Sequence, residues 1–193
     1  MPSSKNICKV ILPTILLLTG CAGFIQELTL YHGLDCTGAS VTFQTKEQNL
    51  ANWDLFLSDA QSFQALGWWW FFTGTGFAPY LTNSGYRSTP YCANSSYIYA
   101  SQSLRFAGPL ETATPALAVY ESWYSSGAGR EVIFTTGAAN NFGFIARSAI
   151  ASGTSSWTLY YNENFTGNTT CLSSGGELVI TSATFGSAIM GCN

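Results

Sequence analysis

Charged side chains are scarce in this chain of 193 residues, of which they make up 9%, and the net charge is −3. Globular domains average about 25% charged residues, and nucleic-acid binding needs a basic surface. The composition therefore argues against a nucleic-acid partner. Disorder is excluded as well, because a disordered chain is poor in apolar residues, whereas 47% of this chain is apolar.

Histidine is almost absent, since His32 is the single one in the sequence. A Ser-His-Asp arrangement would have to use this residue, which we expect to lie in a solvent-facing turn. A pair of carboxylates for glycoside hydrolysis stays open, because distances are invisible in the sequence, but the ten acidic residues are spread singly along the chain. We therefore expect no catalytic residues and a protein that is not an enzyme.

A long hydrophobic run is also missing, so we expect no transmembrane segment. The first residues instead combine Lys5 and Lys9 with the short apolar stretch Val10–Leu18 and then small residues. This pattern predicts a secretory signal peptide at residues 1–23, cleaved within Thr19–Phe24, and an extracellular protein. The stretch ending in Cys21 also resembles a bacterial lipobox, which would leave a lipid anchor on Cys21 in a bacterial protein.

Six cysteines occur, and two of them lie in or beside the signal peptide. No pair has the CxxC spacing of a zinc site. An even number in an oxidising compartment predicts two disulfide bonds, with three pairings open. The four cysteines concerned are Cys36, Cys92, Cys171 and Cys192.

Three sequons for N-linked glycosylation are also present, at Asn94, Asn164 and Asn168. In an exported chain these three residues are candidate glycosylation sites.

Aromatic residues are abundant at 15%, and an apolar-aromatic pair recurs along the chain. Its copies are 41, 48 and 40 residues apart, at Leu30-Tyr31, Phe71-Phe72, Val119-Tyr120 and Leu159-Tyr160. Each pair is expected to open a strand, in sequence that alternates between polar and apolar residues. Equal spacings near 40 residues indicate repeated supersecondary units, and the longer middle step leaves room for a linker.

Several of these segments resemble the signature W-x-L-Y-E-x-x-x-F-x-G of the βγ-crystallins. The resemblance is strongest over Trp157–Gly167 and weaker over Leu30–Phe43. Leu81–Tyr86 is similar to the L-x-x-G-x-Y step of a second motif, Ser103–Arg105 to its closing strand, and Phe185-Gly186 to the end of a fourth. Together these matches span residues 26–193.

Two departures from the signature stand out. Phe77-Ala78-Pro79 occupies the F-x-G position of the second motif, and Cys36 stands where the fourth motif has Phe165.

The resemblance implies an all-β protein with two Greek-key β-sandwich domains, each built from two motifs. We place the first domain at residues 24–108, the linker at 109–116 and the second domain at 117–193. Each domain then holds two of the four cysteines, which predicts the bonds Cys36–Cys92 and Cys171–Cys192.

Members of this family often bind calcium through [N/D]-[N/D]-x-x-[S/T]-S. The nearest match is a weak calcium candidate formed by Ser58, Asp59 and Ser62, with a single carboxylate. Calcium needs several hard oxygens, and the equivalent segments of the other motifs contain no acidic residue. We therefore expect no tight calcium binding and no other cofactor.

The run Trp68–Phe72 consists of five aromatic residues. Because side chains alternate along a strand, about half of these rings should point away from the core. We expect Trp70 and Phe72 to face the core and Trp69 and Phe71 to face outward, unless the register is reversed. The candidate ligand surface is Trp68, Trp69 and Phe71, of which Trp69 and Phe71 are the outward rings in this register.

Taken together, these features favour a secreted, disulfide-stabilised, non-catalytic structural or binding protein. Its partner would be an extracellular glycan, lipid or matrix component. The alternative is a secreted antimicrobial or toxin-like defence protein of the same fold. An enzyme is the third class, since a fold does not fix a function.

Overall fold

A computed structural model of the chain describes residues 23–123 and 126–192. The predicted signal-peptide features and Cys21 lie outside the described residues. Within them the helical segments are one four-residue helix, α1 (Asp54–Leu57), and three 3-10 turns, Leu34–Cys36, Ala51–Trp53 and Ile98–Ala100. The strands are β1 (Glu27–Tyr31), β2 (Ser40–Phe43), β3 (Ser62–Phe72), β4 (Tyr80–Asn94), β5 (Ser103–Phe106), β6 (Ala116–Tyr120), β7 (Glu131–Phe134), β8 (Ala138–Asn140), β9 (Ala146–Ser152), β10 (Ser156–Tyr160), β11 (Thr169–Ser173), β12 (Val179–Phe185) and β13 (Ser187–Met190).

Antiparallel pairing joins these strands into three sheets. In the first half of the chain the order is β2-β1-β3-β4, and β5 also pairs with β3. In the second half one sheet has the order β11-β10-β13-β8 and the other β12-β9-β6-β7. Side chains from both sheets of the second half share one core, so these sheets pack face to face. The predicted all-β Greek-key fold is confirmed, while the domain boundaries stay predictions.

The four apolar-aromatic pairs take equivalent positions. Each pair lies at the end of a strand, β1, β3, β6 or β10, and not at its start as expected. The aromatic residue that closes the strand is paired with a buried serine on a neighbouring strand. These couples are Tyr31 with Ser62, Phe72 with Ser103, Tyr120 with Ser148, and Tyr160 with Ser187.

Each of these serines fixes the chain as it leaves the strand. Its hydroxyl donates a hydrogen bond of 2.5–2.7 Å to the carbonyl two residues beyond the aromatic, on Gly33, Gly74, Ser122 or Asn162. For Ser62, Ser103 and Ser187 the same oxygen also accepts a backbone N–H from the folded hairpin. These donors are Cys36, Phe77 and Phe165, which occupy the equivalent position in their motifs. A buried hydroxyl that is both donor and acceptor satisfies two backbone groups of a tight turn.

Strand β3 is buried on both faces. Trp69 and Phe71 lie in the core of the first half, beside Leu28, Leu30 and Leu104. Trp68, Trp70 and Phe72 lie in a separate cluster, which we call the contact cluster. From the second half that cluster includes Ala118, Tyr120, Ile150 and Leu178.

The segment between the two halves is bound by Gln26, whose side chain is fully buried. Its Nε2 donates to the carbonyls of Ala107 and Pro109 at 2.6 and 2.8 Å, and its Oε1 accepts the N–H of Trp68 at 2.9 Å. Gly67, beside this amide, has a φ of 99°, and a Cβ there would lie 2.4 Å from Gln26 Oε1. Glycine is therefore required where β3 passes the linker.

Disulfide bonds join Cys36 to Cys92 and Cys171 to Cys192. The first ties the folded hairpin after β1 to β4, across a separation of 56 residues. The second ties β11 to the segment after β13, across 21 residues. Both bonds constrain the unfolded chain and so stabilise the folded one.

Two-sided burial of β3 predicts that truncation on either face is costly. Trp69→Ala and Trp70→Ala should each lower the free energy of unfolding by about 3–5 kcal/mol, because both rings are buried and each would leave a cavity. Leu55→Ala is the control, since Leu55 is 91% exposed and should change stability by less than about 0.5 kcal/mol. Urea denaturation would measure all three. A near-neutral result for either tryptophan would contradict the packing of that face.

Candidate functional site

A cavity of about 540 Å³ opens where the two halves of the chain meet. Its walls carry five charged side chains and three phenylalanine rings. The charged residues are Lys46, Arg105, Glu121, Arg130 and Glu131, and the phenylalanines are Phe77, Phe142 and Phe144. In a chain with so few charges, this concentration makes the cavity the candidate functional site.

An ion pair crosses between the halves at the base of this site. Lys46 Nζ lies 2.5 Å from Glu131 Oε2, and their side chains are 20% and 9% exposed. Lys46 also donates to the carbonyl of Gly108 at 2.9 Å. Burial lowers the pKa of Lys46, against the opposing effect of Glu131. Because both charges are largely removed from water, loss of one partner would leave the other uncompensated.

Tyr120 closes β6 and completes this network. Its hydroxyl donates to Glu131 Oε1 at 2.6 Å and accepts the N–H of Gly108 at 2.7 Å. Burial, and then the negative charge of Glu131, raise the pKa of Tyr120 well above its ordinary value of 10.0. The phenol therefore stays protonated in the folded protein at pH values where an exposed tyrosine ionises.

Arg105, on β5, is the most buried cation of the site, with 1% of its surface exposed. Its two terminal nitrogens donate to the carbonyls of Gly127 and, at 3.1 Å, Gly129. The guanidinium lies 4.6 Å from the ring centroid of Phe77 and 5.3 Å from that of Tyr120, as in cation–π contacts. Burial lowers the pKa of Arg105. Within residues 23–123 and 126–192, its Nε has no hydrogen-bond partner.

A second ion pair lies at the mouth of the cavity. Arg130 contacts Glu121 at 3.0 Å, with side chains 59% and 42% exposed. Arg130 also donates to the carbonyl of Gly143 at 2.8 Å, and its guanidinium lies 5.0 Å from the ring centroid of Phe144. The hydrogen bonds from Arg130 lower the pKa of Glu121. Exposed pairs of this kind add little stability, so this one mainly orients the side chains at the entrance.

The predicted ligand surface of Trp68, Trp69 and Phe71 is wrong. These side chains are 8%, 0% and 1% exposed. The predicted facing is reversed as well, because Trp69 and Phe71 lie in the core of the first half, while Trp70 and Phe72 lie in the contact cluster. Alternation along β3 is present, but packing against the second half covers the face that would otherwise be exposed.

The predicted calcium residues do not assemble into one site. Ser58 and Asp59 are exposed, whereas Ser62 is fully buried. The Ser62 hydroxyl already bonds Gly33 and Cys36 in the first folded hairpin. Among the residues that the structure describes, no three His, Cys, Asp or Glu side chains are grouped to hold a metal ion.

His32 is half-buried and does not simply face solvent as expected. Its ring lies 4.1 Å from that of Phe56, and Nε2 is 3.2 Å from the Phe56 carbonyl oxygen. The sequon residues Asn94, Asn164 and Asn168 are all exposed, and their glycosylation stays a prediction.

Sequence reasoning missed Lys46, Glu131 and the role of Arg105. Lys46 and Glu131 are 85 residues apart, so nothing local in the sequence joins them. Arg105 did give a signal, because it is a lone charge between Leu104 and Phe106 in a short apolar strand. In a chain with 9% charged residues, a charge in such a strand predicts a buried polar contact.

The fold is similar to that of known proteins. Geodin, a βγ-crystallin from Geodia cydonium, aligns with 87% of this chain and 100% of its own, at 16% identity and a TM-score of 0.58. Protein S in complex with calcium aligns with 86% of this chain and 100% of its own, at 14% identity and a TM-score of 0.30. No protein-family model and no curated protein sequence matches the chain. The similarity to geodin shows that the chain has the βγ-crystallin fold.

The Tyr120 network predicts a pH-dependent stability difference. Tyr120→Phe should cost about 1–3 kcal/mol near neutral pH, because the Gly108 N–H and Glu131 Oε1 lose a buried partner. Because the pKa of Tyr120 is raised in the folded protein, this residue makes its full contribution to the free energy of unfolding below about pH 10. Above about pH 10 the tyrosine ionises in the unfolded chain, and this contribution falls. The difference in free energy of unfolding between wild type and variant, measured by denaturant titration, should therefore become smaller above about pH 10. Tyr161→Phe, at a residue 63% exposed, is the control, and a constant gap would contradict the assignment.

Calcium should stabilise the protein little. With a millimolar dissociation constant, one millimolar calcium would add about 0.4 kcal/mol. A melting curve should therefore move by less than about 5 °C, and Asp59→Asn should not change that shift. A larger shift that Asp59→Asn abolishes would show that a calcium site forms at this turn.

Proposed function

Starting from the βγ-crystallin fold, we propose that this chain is an exported, disulfide-stabilised, non-catalytic protein with a structural or binding role outside the cell. The proposal rests on how the two halves are stabilised. Each half contains its own disulfide bond, and the two halves are joined through a buried aromatic and charged contact. Such a construction favours a persistent folded unit.

Export is supported by the use of cysteine. All four cysteines beyond the predicted signal peptide form disulfide bonds. Structural disulfides persist in oxidising compartments and are rare in reducing ones. None of the helices among the described residues is long and apolar enough to cross a membrane.

A structural or binding role is supported by how the site uses its charges. Lys46 and Glu131 bond one another, and Tyr120 and Gly108 bond them in turn. These side chains hold the two halves of the molecule together. Their removal would therefore destabilise the fold, which favours a structural role for them over a catalytic one. The cavity beside them supplies a place for a ligand.

Export and the role of the disulfides can be tested together. The full chain, produced in a secretory host, should appear in the medium with its N-terminus within Thr19–Phe24 and no free thiol beyond residue 24. A chain that begins at residue 24 is the matched control and should stay inside the cell. Retention of the full chain with an intact N-terminus would contradict export, as mass spectrometry of the purified protein would show.

Persistence of the fold is tested on the purified secreted protein. Cys171→Ser combined with Cys192→Ser should lower the free energy of unfolding by about 3 kcal/mol, since the bond closes a loop of 21 residues. Protease digestion should then be faster than for wild type. Equal digestion rates would contradict a role for this bond in persistence.

A further inference from the structure

We propose that the cavity between the two halves binds a small organic anion, whose oxyanion lies against Arg105 and Lys46 and whose apolar body packs on Phe142 and Phe144. The shared chemistry is one oxyanion on a flat apolar body, supplied by a carboxylate or by a phosphate monoester. This proposal goes beyond a structural role, and it holds whether or not the chain is exported.

The charged groups in the walls of the cavity do not balance. Lys46 is paired with Glu131, and Arg130 is paired with Glu121. In the part of the chain that the structure describes, Arg105 forms no salt bridge and is bonded only to two backbone carbonyls. The cavity therefore carries one uncompensated positive charge, although the whole chain has a net charge of −3. A buried charge without a counter-ion is costly, and a bound anion would supply one.

The N–H donors of Arg105 and Lys46 outnumber the acceptors that they bond. Arg105 is 1% exposed, and its Nε–H has no partner among residues 23–123 and 126–192. Lys46 has three N–H groups, of which Glu131 and the carbonyl of Gly108 accept two. Both carboxylate oxygens of Glu131 already accept a hydrogen bond. The site thus needs an acceptor, and an oxyanion offers several.

The electrostatics of the two cations agree with this. Burial lowers the pKa of both Lys46 and Arg105, and the positive charge of Arg105 lowers the pKa of Lys46 further. Arg105 therefore acts on Lys46 across the site, and the negative charge of Glu131 opposes the lowering of both pKa values. An anion between them would reduce that repulsion, and it would do so in a setting of low dielectric where charge–charge interactions are strong.

The shape and lining of the cavity fit an organic anion better than a bare inorganic one. A volume of about 540 Å³ lies within the usual range of small-molecule sites, roughly 300–1,000 Å³. Phe77, Phe142 and Phe144 supply apolar wall. Lys46 is one-fifth exposed and Arg130 more than half, so these two cations are reachable from solvent, whereas Arg105 is 1% exposed and forms part of the cavity wall.

The test is titration of the purified protein with benzoate and with phenyl phosphate at constant ionic strength, followed by calorimetry. Benzamide is the neutral probe of the same shape. We expect saturable one-to-one binding of at least one anion, about ten-fold or more tighter than benzamide. Tighter benzoate indicates a carboxylate ligand, and tighter phenyl phosphate indicates a phosphate monoester. No saturation by either anion up to about 10 millimolar, or equal binding of benzamide, would overturn the proposal.

Variants locate the site. Arg105→Gln should weaken anion binding by about ten-fold or more. Because Arg105 also joins the two halves, Phe144→Ala is the second variant: this ring is half-buried at the mouth, and its loss should weaken binding several-fold in a folded protein. Arg87→Gln is the control: it removes a positive charge from β4, which contributes no residue to the walls of this cavity, and it should leave binding unchanged. Anion binding that Phe144→Ala leaves intact, or that Arg87→Gln weakens as much as Arg105→Gln does, would refute this location.

Discussion

Burial of β3 on both faces is the constraint on which the rest of the molecule depends. One face contributes Trp69 and Phe71 to the core of the first half, and the other contributes Trp68, Trp70 and Phe72 to the contact cluster. A strand that belongs to two clusters couples them, since any shift that suits one changes the other. Interiors are packed too closely to absorb such shifts. The position of the second half is therefore set by the same strand that organises the first.

The ends of β3 link this packing to two of the four hairpins. Ser62 begins the strand and fixes the hairpin after β1, while Phe72 ends it and pairs with Ser103, which fixes the next hairpin. The same serine-to-carbonyl bond occurs after Tyr120 and Tyr160. Each serine satisfies backbone groups that a tight hairpin would otherwise leave without partners in the interior. The same hydroxyl bond therefore recurs with each of the four aromatic pairs.

The sequence predicted much of this fold because its signals are local. Alternating residues, glycine at turns and the motif around Trp157–Gly167 each act within a dozen residues. The candidate site depends instead on long-range contacts, such as the one between Lys46 and Glu131. The prediction that Trp69 faces outward was wrong for the same reason. Alternation shows that the two faces of a strand differ, but it does not show whether a distant segment covers the second face. Only the placement of Ala118, Tyr120 and Ile150 decides that.

Charged groups at the contact between the halves select one packing arrangement more than they add to the stability of the fold. A buried ion pair often adds less stability than apolar residues of the same volume, because its desolvation offsets the attraction. An apolar contact would also tolerate several packings, whereas the bonds that join Lys46, Glu131, Tyr120 and Gly108 are satisfied together in one arrangement. Arg105 lies at the same contact with a charge that no carboxylate among the described residues pairs. The arrangement that fixes how the halves pack thus also leaves the positive charge of Arg105 in the wall of the cavity, without a carboxylate beside it among the described residues.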